Sequence, residues 1–488
     1  MKINIKSPFF PEVAKEVDLD NFVKIDVNIT EELESNHFLL SLWHQLDVNY
    51  APQHTDRVPW AYLPQKYVGK KINILVFGNI NTKIGNYVVA MSYAKKGNID
   101  SLYFYSPFRE QEHYKKYFKE VVSNAIKHKN ELSIFNCKTE LKSQFDNLQI
   151  QQYKGDNFTL YSENNKIWLS FNLKAIDQYE AFRSSMKRLN YLCAFLSVET
   201  NILFEFQEIV LTNNQENIIK TDVEHQYFID FIDFYSIKED VLQLSEYGFK
   251  FLNDFVFVER DLIMNKRLKY FISACQHISE GLYHELKLGD LTAYTFPKVS
   301  FVLSPNDLRN KQAFITQGVM SYMSAIETAS FPDGTTIQCA TCHNLQYKIS
   351  SRISDFMTHY FHEDMGKLFK SLYGFRSKFL HTGELATDND YHYNRPLIDS
   401  STETGLVDYG FISVKVNGNV GLIYINNIRE WTTYALRCYY QEYFYNRLNF
   451  NLKNSMDENN SGSYIAHYEK VVVSSCLPGI EVIGLDAL

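Results

Sequence analysis

The spacing of apolar residues changes character partway along the chain. Up to about residue 225 the apolar runs are short and separated by turn residues. Lys71 to Phe77 and Tyr87 to Tyr93 read as strands around the turn-rich stretch Gly78 to Gly85, and Glu110 to Lys129 reads as a helix. Gln149 to Tyr153, Phe158 to Tyr161 and Ile167 to Leu173 are broken by Lys154-Gly155-Asp156-Asn157 and Glu163-Asn164-Asn165, the rhythm of an antiparallel meander. Phe182, Met186, Leu189, Leu192 and Phe195 return to helical spacing.

Beyond 226 the period is helical almost throughout. Leu262, Leu268, Ile272, Cys275, Ile278 and Leu282 predict a long helix joining the two halves, with Pro297 and Pro305 bracketing a break. Three stripes follow: Ile315, Val319, Met323 and Ile326; Ile349, Ile353, Met357, Tyr360 and Phe361; and Met365, Leu368, Leu372, Phe375 and Phe379. A further helix carries Ile428, Trp431, Ala435, Cys438 and Tyr439. Before it, Ile412 to Val416 and Val420 to Ile425 flank Asn417-Gly418-Asn419, a strong hairpin signal. The expected class is α+β: an N-terminal mixed α/β-meander domain (1–225), a helical connector (226–305), an all-α helical bundle with an inserted β-hairpin (306–450), and a tail (451–488) in which Val471 to Val473 and Ile480 to Ile483 suggest strands.

Composition narrows the function classes. The net charge of −8 argues against a protein that coats nucleic acid along its whole surface, but leaves room for a small cationic site. No apolar run reaches membrane-span length, and Met1 to Lys6 lacks an apolar leader core. With 7 scattered cysteines read as reduced thiols, a cytoplasmic protein without membrane contact is expected.

The chemistry concentrates at the end of the third stripe: Tyr373-Gly374-Phe375-Arg376-Ser377-Lys378-Phe379-Leu380-His381-Thr382-Gly383. Gly383 is placed to end the helix. Arg376 and His381 are offset by roughly 140° and about 7.5 Å along an ideal helix, while Ser377 shares the face of His381. A neutral imidazole can take the proton of a ribose 2′-OH, and a guanidinium can hold the charged phosphorane. A symmetric dimer would place two such pairs around one phosphate. The plainer reading is an Arg paired with a nearby carboxylate and a His serving as a C-terminal helix cation.

Together with Ser324-Ala325-Ile326-Glu327 and Tyr347-Lys348-Ile349-Ser350-Ser351-Arg352, this segment resembles the ApeA-like HEPN family over roughly residues 310–450. The resemblance implies a dimeric or larger homo-oligomeric, metal-independent endoribonuclease acting on RNA, of the kind used as a toxin in antiviral defence by abortive infection. It implies that Arg376 and His381 are the catalytic pair, with Ser377, Lys378, Glu327 and Arg352 supporting or binding RNA. It implies no catalytic cofactor, and a restrained enzyme released by a phage-derived activator or gated by the N-terminal half. A non-catalytic RNA- or nucleotide-binding or dimerisation module is the alternative.

Other constellations are weaker. Cys339, Cys342, His359 and His362 offer ligands for a structural zinc, though the spacing matches no zinc finger; incidental residues around a loop are the competing reading. Gly78 to Gly85 looks superficially like a phosphate loop but lacks the Lys-Ser/Thr ending, so a plain turn is expected. Asp254, Glu259 and Asp261 read as a solvated helix face, and Tyr439, Tyr440, Tyr443 and Tyr445 as core or interface residues.

Overall fold

The computed structural model describes residues 17–48, 73–82, 84–93, 98–106, 109–145, 148–213, 241–258, 266–293, 305–331, 349–361, 363–383, 411–416 and 419–446, with short strand segments at 2–3, 63–66, 237–238, 337–338, 345–346, 397–398 and 406–407. The fold is mixed α+β, with antiparallel sheets in the N-terminal half and helices toward the C-terminus. By compactness the chain divides into residues 1–135 with 174–183, and residues 136–173 with 184–488. The sequence reading put its first boundary near 225.

In the first unit, five antiparallel strands lie in the order Val23–Ile29, Ile99–Tyr105, Gly85–Tyr93, Asn73–Thr82, Leu63–Lys66. Helices α1 (Glu32–Val48) and α2 (Gln111–His128) close over one face. Phe38, Leu42, Phe104, Phe118 and Val122 are buried there, with the Phe104 and Phe118 rings stacked 4.0 Å apart. The expected turn Gly78 to Gly85 is mostly strand. Residues 78–82 pair with 85–89, the register slips between Val76 and Gly78, and only a tight turn remains. Thr82 Oγ1 donates to Gly85 O at 3.0 Å and accepts from Ile84 N–H at 3.3 Å, which holds that turn.

The meander also forms. Tyr153–Lys154, Phe158–Glu163 and Lys166–Ala175 pair antiparallel in sequence order, and Ser133–Ser143 extends the sheet on the far side. Gln149–Ile150 departs from it and pairs parallel with Val241–Leu242 instead. The start of helix α3 (Gln178–Thr200) is held by two side chains. Asp177 Oδ1 accepts from Glu180 N–H at 2.8 Å and Glu180 Oε2 from Ile176 N–H at 2.7 Å. Its last turn carries Glu199, fully buried and held on three sides. The Ser245 N–H (2.9 Å) and hydroxyl (2.5 Å) donate to one carboxylate oxygen, and Tyr440 Oη donates to the other at 2.8 Å. Ser245 in turn caps the short helix α4 (Glu246–Phe251) through Gly248 N–H.

The remaining helices are α5 (Lys266–Ala293), α6 (Pro305–Ala329), α7 (Ile349–Tyr360), α8 (Glu363–Thr382) and α9 (Ile425–Tyr445). Rather than bridging two halves, α5 packs along α6 inside the second unit. The two helices approach closely at Gly281, where a β-carbon would lie 2.2 Å from Tyr322 Cε1. The predicted stripes of α6 and α9 are buried as expected, including Ile315, Val319, Met323, Ile326, Ile428 and Ala435. Each such aliphatic residue contributes about 1.5–3 kcal/mol. On α8 the stripe is rotated: Phe369 and Leu372 are fully buried, while Met365 and Leu368 are half-buried. The hairpin pairs Phe411–Val416 with Asn419–Tyr424 and leads straight into α9. Tyr439 and Tyr440 enter the core, Tyr443 stays exposed, and Tyr445 Oη reaches Asp254 at 3.2 Å. Among the described residues, no helix is long and apolar enough to cross a membrane. Glu259, Asp261 and the tail strands expected after 451 lie outside the described residues.

Candidate functional site

Helix α8 brings Tyr373 and Arg376, one turn apart, against the last turns of α6. The Arg376 guanidinium is held by three neighbours. Its Nε donates to Ser324 Oγ at 3.3 Å, Nη1 reaches Tyr373 Oη at 3.5 Å, and Nη1 lies 2.9 Å from Glu327 Oε2. The Glu327 contact is an ion pair whose angle misses a hydrogen bond, so Oε2 keeps an unfilled lone pair. Both side chains are largely buried, with 18% of Arg376 and 20% of Glu327 exposed. Glu327 sits near the C-terminus of α6, where the helix dipole disfavours a carboxylate. The guanidinium offsets that cost.

The group extends over two further helices. From α7, Arg352 lies over the Phe331 ring at 4.9 Å, and its buried Nε has no hydrogen-bond partner. At the start of α5, the Lys266 ammonium is 5.6 Å from the centroid of the same ring, and Arg267 Nη1 donates to the Phe331 backbone carbonyl at 2.8 Å. The Tyr373 phenol is pushed to higher pKa by burial and by Glu327, while Arg376 and Arg352 pull it down. Tyr373 thus lies within electrostatic reach of Glu327, Arg376 and Arg352.

The sequence reading passed over a histidine on α5 that feels the charges of this group. His277, in the middle of α5, is 34% exposed, and its Nδ1 is 3.7 Å from Glu280 Oε2 one turn along the helix. Burial holds its pKa below the ordinary histidine value, Glu280 opposes that, Arg376 lowers it further and Glu327 raises it. A local i, i+3 pair with Glu280 was its one signal in the sequence. The residues that make it interesting lie on α6 and α8.

His381 stands apart from this group. It is exposed in the last turn of α8, with no hydrogen bond or ion pair among the described residues. The helix ends as expected: Gly383 adopts φ +73°, and its N–H donates to Phe379 O at 2.9 Å. Within one chain, then, Arg376 is enclosed and His381 is at the surface. Ser377 is half-buried, and the Lys378 side chain lies outside what the structure describes. Of the zinc set, Cys339, Cys342 and His362 lie outside the described residues. His359 is engaged elsewhere, with Nε2 2.9 Å from Glu442 Oε2 on α9. The arrangement can recognise an anion through Arg376 and its cationic neighbours. No known family model, no curated protein and no solved structure matches the chain.

Proposed function

We propose that the chain is a metal-independent endoribonuclease of the HEPN type. It cleaves RNA at a site built around Arg376 and His381 and completed by a second copy of the chain. The observation that supports this most is the contrast between the two residues. Arg376 is held in one orientation by Ser324, Tyr373 and Glu327, while His381 is open to a substrate at the end of the same helix. Pre-orientation of a charge-stabilising group is what such catalysis needs. The cations around Phe331 supply a local attraction for phosphate in a chain whose overall charge is negative. A role in antiviral defence, with the N-terminal half or a phage component restraining the enzyme in the cytoplasm, belongs to the same proposal.

The second reading is a non-catalytic RNA-binding or dimerisation module, and the Arg376–Glu327 ion pair favours it because it satisfies the guanidinium without substrate. Expressing wild type beside His381→Ala and Arg376→Ala separates the two. A ribonuclease loses RNA cleavage and growth arrest in both variants and keeps cleaving in EDTA. Unchanged RNA in cells expressing the wild type would leave the binding module.

A further inference from the structure

We infer that Lys266 and Arg352, gathered on the Phe331 ring, form a phosphate grip for a single strand of RNA, distinct from the ion-paired Arg376. The inference deepens the ribonuclease reading and rests on it for the kind of strand that is held. Three observations carry it. First, cations from two helices converge on one aromatic side chain just beyond α6. The Arg352 guanidinium, on α7, is 4.9 Å from the Phe331 ring centroid. The Lys266 ammonium, on α5, is 5.6 Å from that centroid and 5.6 Å from the Tyr270 ring. Second, neither cation is neutralised. Among the described residues, Lys266 and Arg352 make no hydrogen bond and no ion pair, and the buried Arg352 Nε has no partner. Glu327, one turn earlier, is already paired with Arg376 at 2.9 Å. Third, the end of α6 does not need them. A helix C-terminus carries about half a negative charge. Arg267 already answers it, with Nη1 donating to Phe331 O at 2.8 Å.

Like charges held around one ring repel each other, and an anion bound between them removes that cost. A phosphate suits both: the guanidinium offers it paired N–H donors and the ammonium a compact charge. Contact with the ring orders two long side chains in advance, which lowers the entropy lost on binding. The ring itself is engaged by the cations and by Tyr270, whose ring centroid is 4.9 Å away. The grip therefore reads the backbone of the strand and not its bases. Lys266 is exposed, and Arg352 and Phe331 are half-buried, so a strand can reach them. Ser330 and Phe331 N–H still bond back to Ile326 and Thr328, so the chain runs on helically from Glu327 to Phe331. The grip thus lies about one helical turn, roughly 5 Å along the axis, beyond the residue that holds Arg376. That is on the order of one or two nucleotide steps of a strand.

The test titrates the full chain against a labelled single-stranded DNA oligonucleotide by fluorescence anisotropy, at about 50–200 mM salt. DNA lacks the 2′-OH, so binding is read without cleavage. Lys266→Gln and Arg352→Gln should each flatten the slope of log K against log salt by about 0.7, and the double variant by about 1.4. Arg352→Gln should weaken binding about tenfold. Arg352→Lys should keep the slope, because the charge remains, and lose part of the affinity, because the fork is gone. With RNA as substrate, Lys266→Gln and Arg352→Gln should raise KM more than they lower kcat, since they hold a phosphate that does not react. Amide exchange of α6 shows whether a variant has loosened the helix end. An unchanged slope with faster α6 exchange would reduce the cations to helix-end packing and overturn the grip. So would an unchanged slope and affinity in Lys266→Gln and Arg352→Gln, or a wild type that leaves the oligonucleotide unbound at about 50 mM salt. If the wild type binds with the stated slopes but leaves RNA intact, the ribonuclease reading falls and the grip stands. If the wild type cleaves RNA and both variants keep its KM, the grip falls and the ribonuclease reading stands.

Discussion

The Arg376–Glu327 pair allows a quantitative separation of structural from catalytic roles. The pair is neither exposed nor sealed, with about a fifth of each side chain reachable by solvent. Exposed pairs couple by about 0.2–1 kcal/mol, and breaking a fully buried one costs about 3–5 kcal/mol. A coupling of about 1–2 kcal/mol is therefore expected from a double-mutant cycle of Arg376→Ala and Glu327→Ala. The single losses should be unequal. Arg376→Ala leaves a carboxylate near the unfavourable end of α6 with its Oε2 still lacking a hydrogen bond, whereas Glu327→Ala also relieves the dipole conflict, worth about 0.3–1 kcal/mol. Because the chain has two compact units, a global melting curve mixes transitions. Amide hydrogen exchange of α6 and α8 reads the pair locally. Cleavage should divide differently: Arg376→Ala loses about 10²–10³-fold, the cost of removing a transition-state donor, while Glu327→Ala retains cleavage. Additivity of the two single losses within about 0.3 kcal/mol would refute the pairing. Equal loss of cleavage in both variants would refute the division of roles.

Further outcomes follow from the core. Gly281→Ala should destabilise the bundle by about 1–3 kcal/mol despite alanine's better helix propensity, because its β-carbon would meet the buried Tyr322 ring; slowed exchange in α5 would contradict this. Burial raises the pKa of Glu199, so the folded state holds its proton more tightly than the unfolded chain and stability falls as pH rises above the ordinary carboxyl value. Glu199→Gln should flatten that decline, which urea titrations at several pH values would show. His284 carries the opposite sign. Burial lowers its pKa, so stability is present above the ordinary histidine value and is lost as pH falls through it. Its Nδ1 is buried without a hydrogen-bond partner and its ring faces Phe314. His284→Phe should thus stabilise by about 1 kcal/mol and weaken the acid loss; an unchanged acid limb would remove His284 from the account.

What the sequence by itself determined is local. The helical stripes through Ile315 to Ile326 and Ile428 to Ala435, the pairing of Phe411–Val416 with Asn419–Tyr424 and the stop at Gly383 each follow from a few adjacent residues: apolar period, turn preference or the freedom of glycine at positive φ. The strand running through Gly78 was misread for a related reason, since glycine and asparagine weaken a strand signal locally but do not stop a neighbouring strand from pairing with it. The tertiary structure decided the rest. It chose Glu327, on another helix, as the partner of Arg376. It set His277 within electrostatic reach of that pair, paired Gln149–Ile150 with Val241–Leu242, and closed Tyr440 onto Glu199 across nearly half the chain. Such contacts are absent from periodicity because a helix's pattern says which face is buried and nothing about which other face covers it. That choice is made by packing whole elements together, where shape and the need to satisfy every buried charge are settled at once.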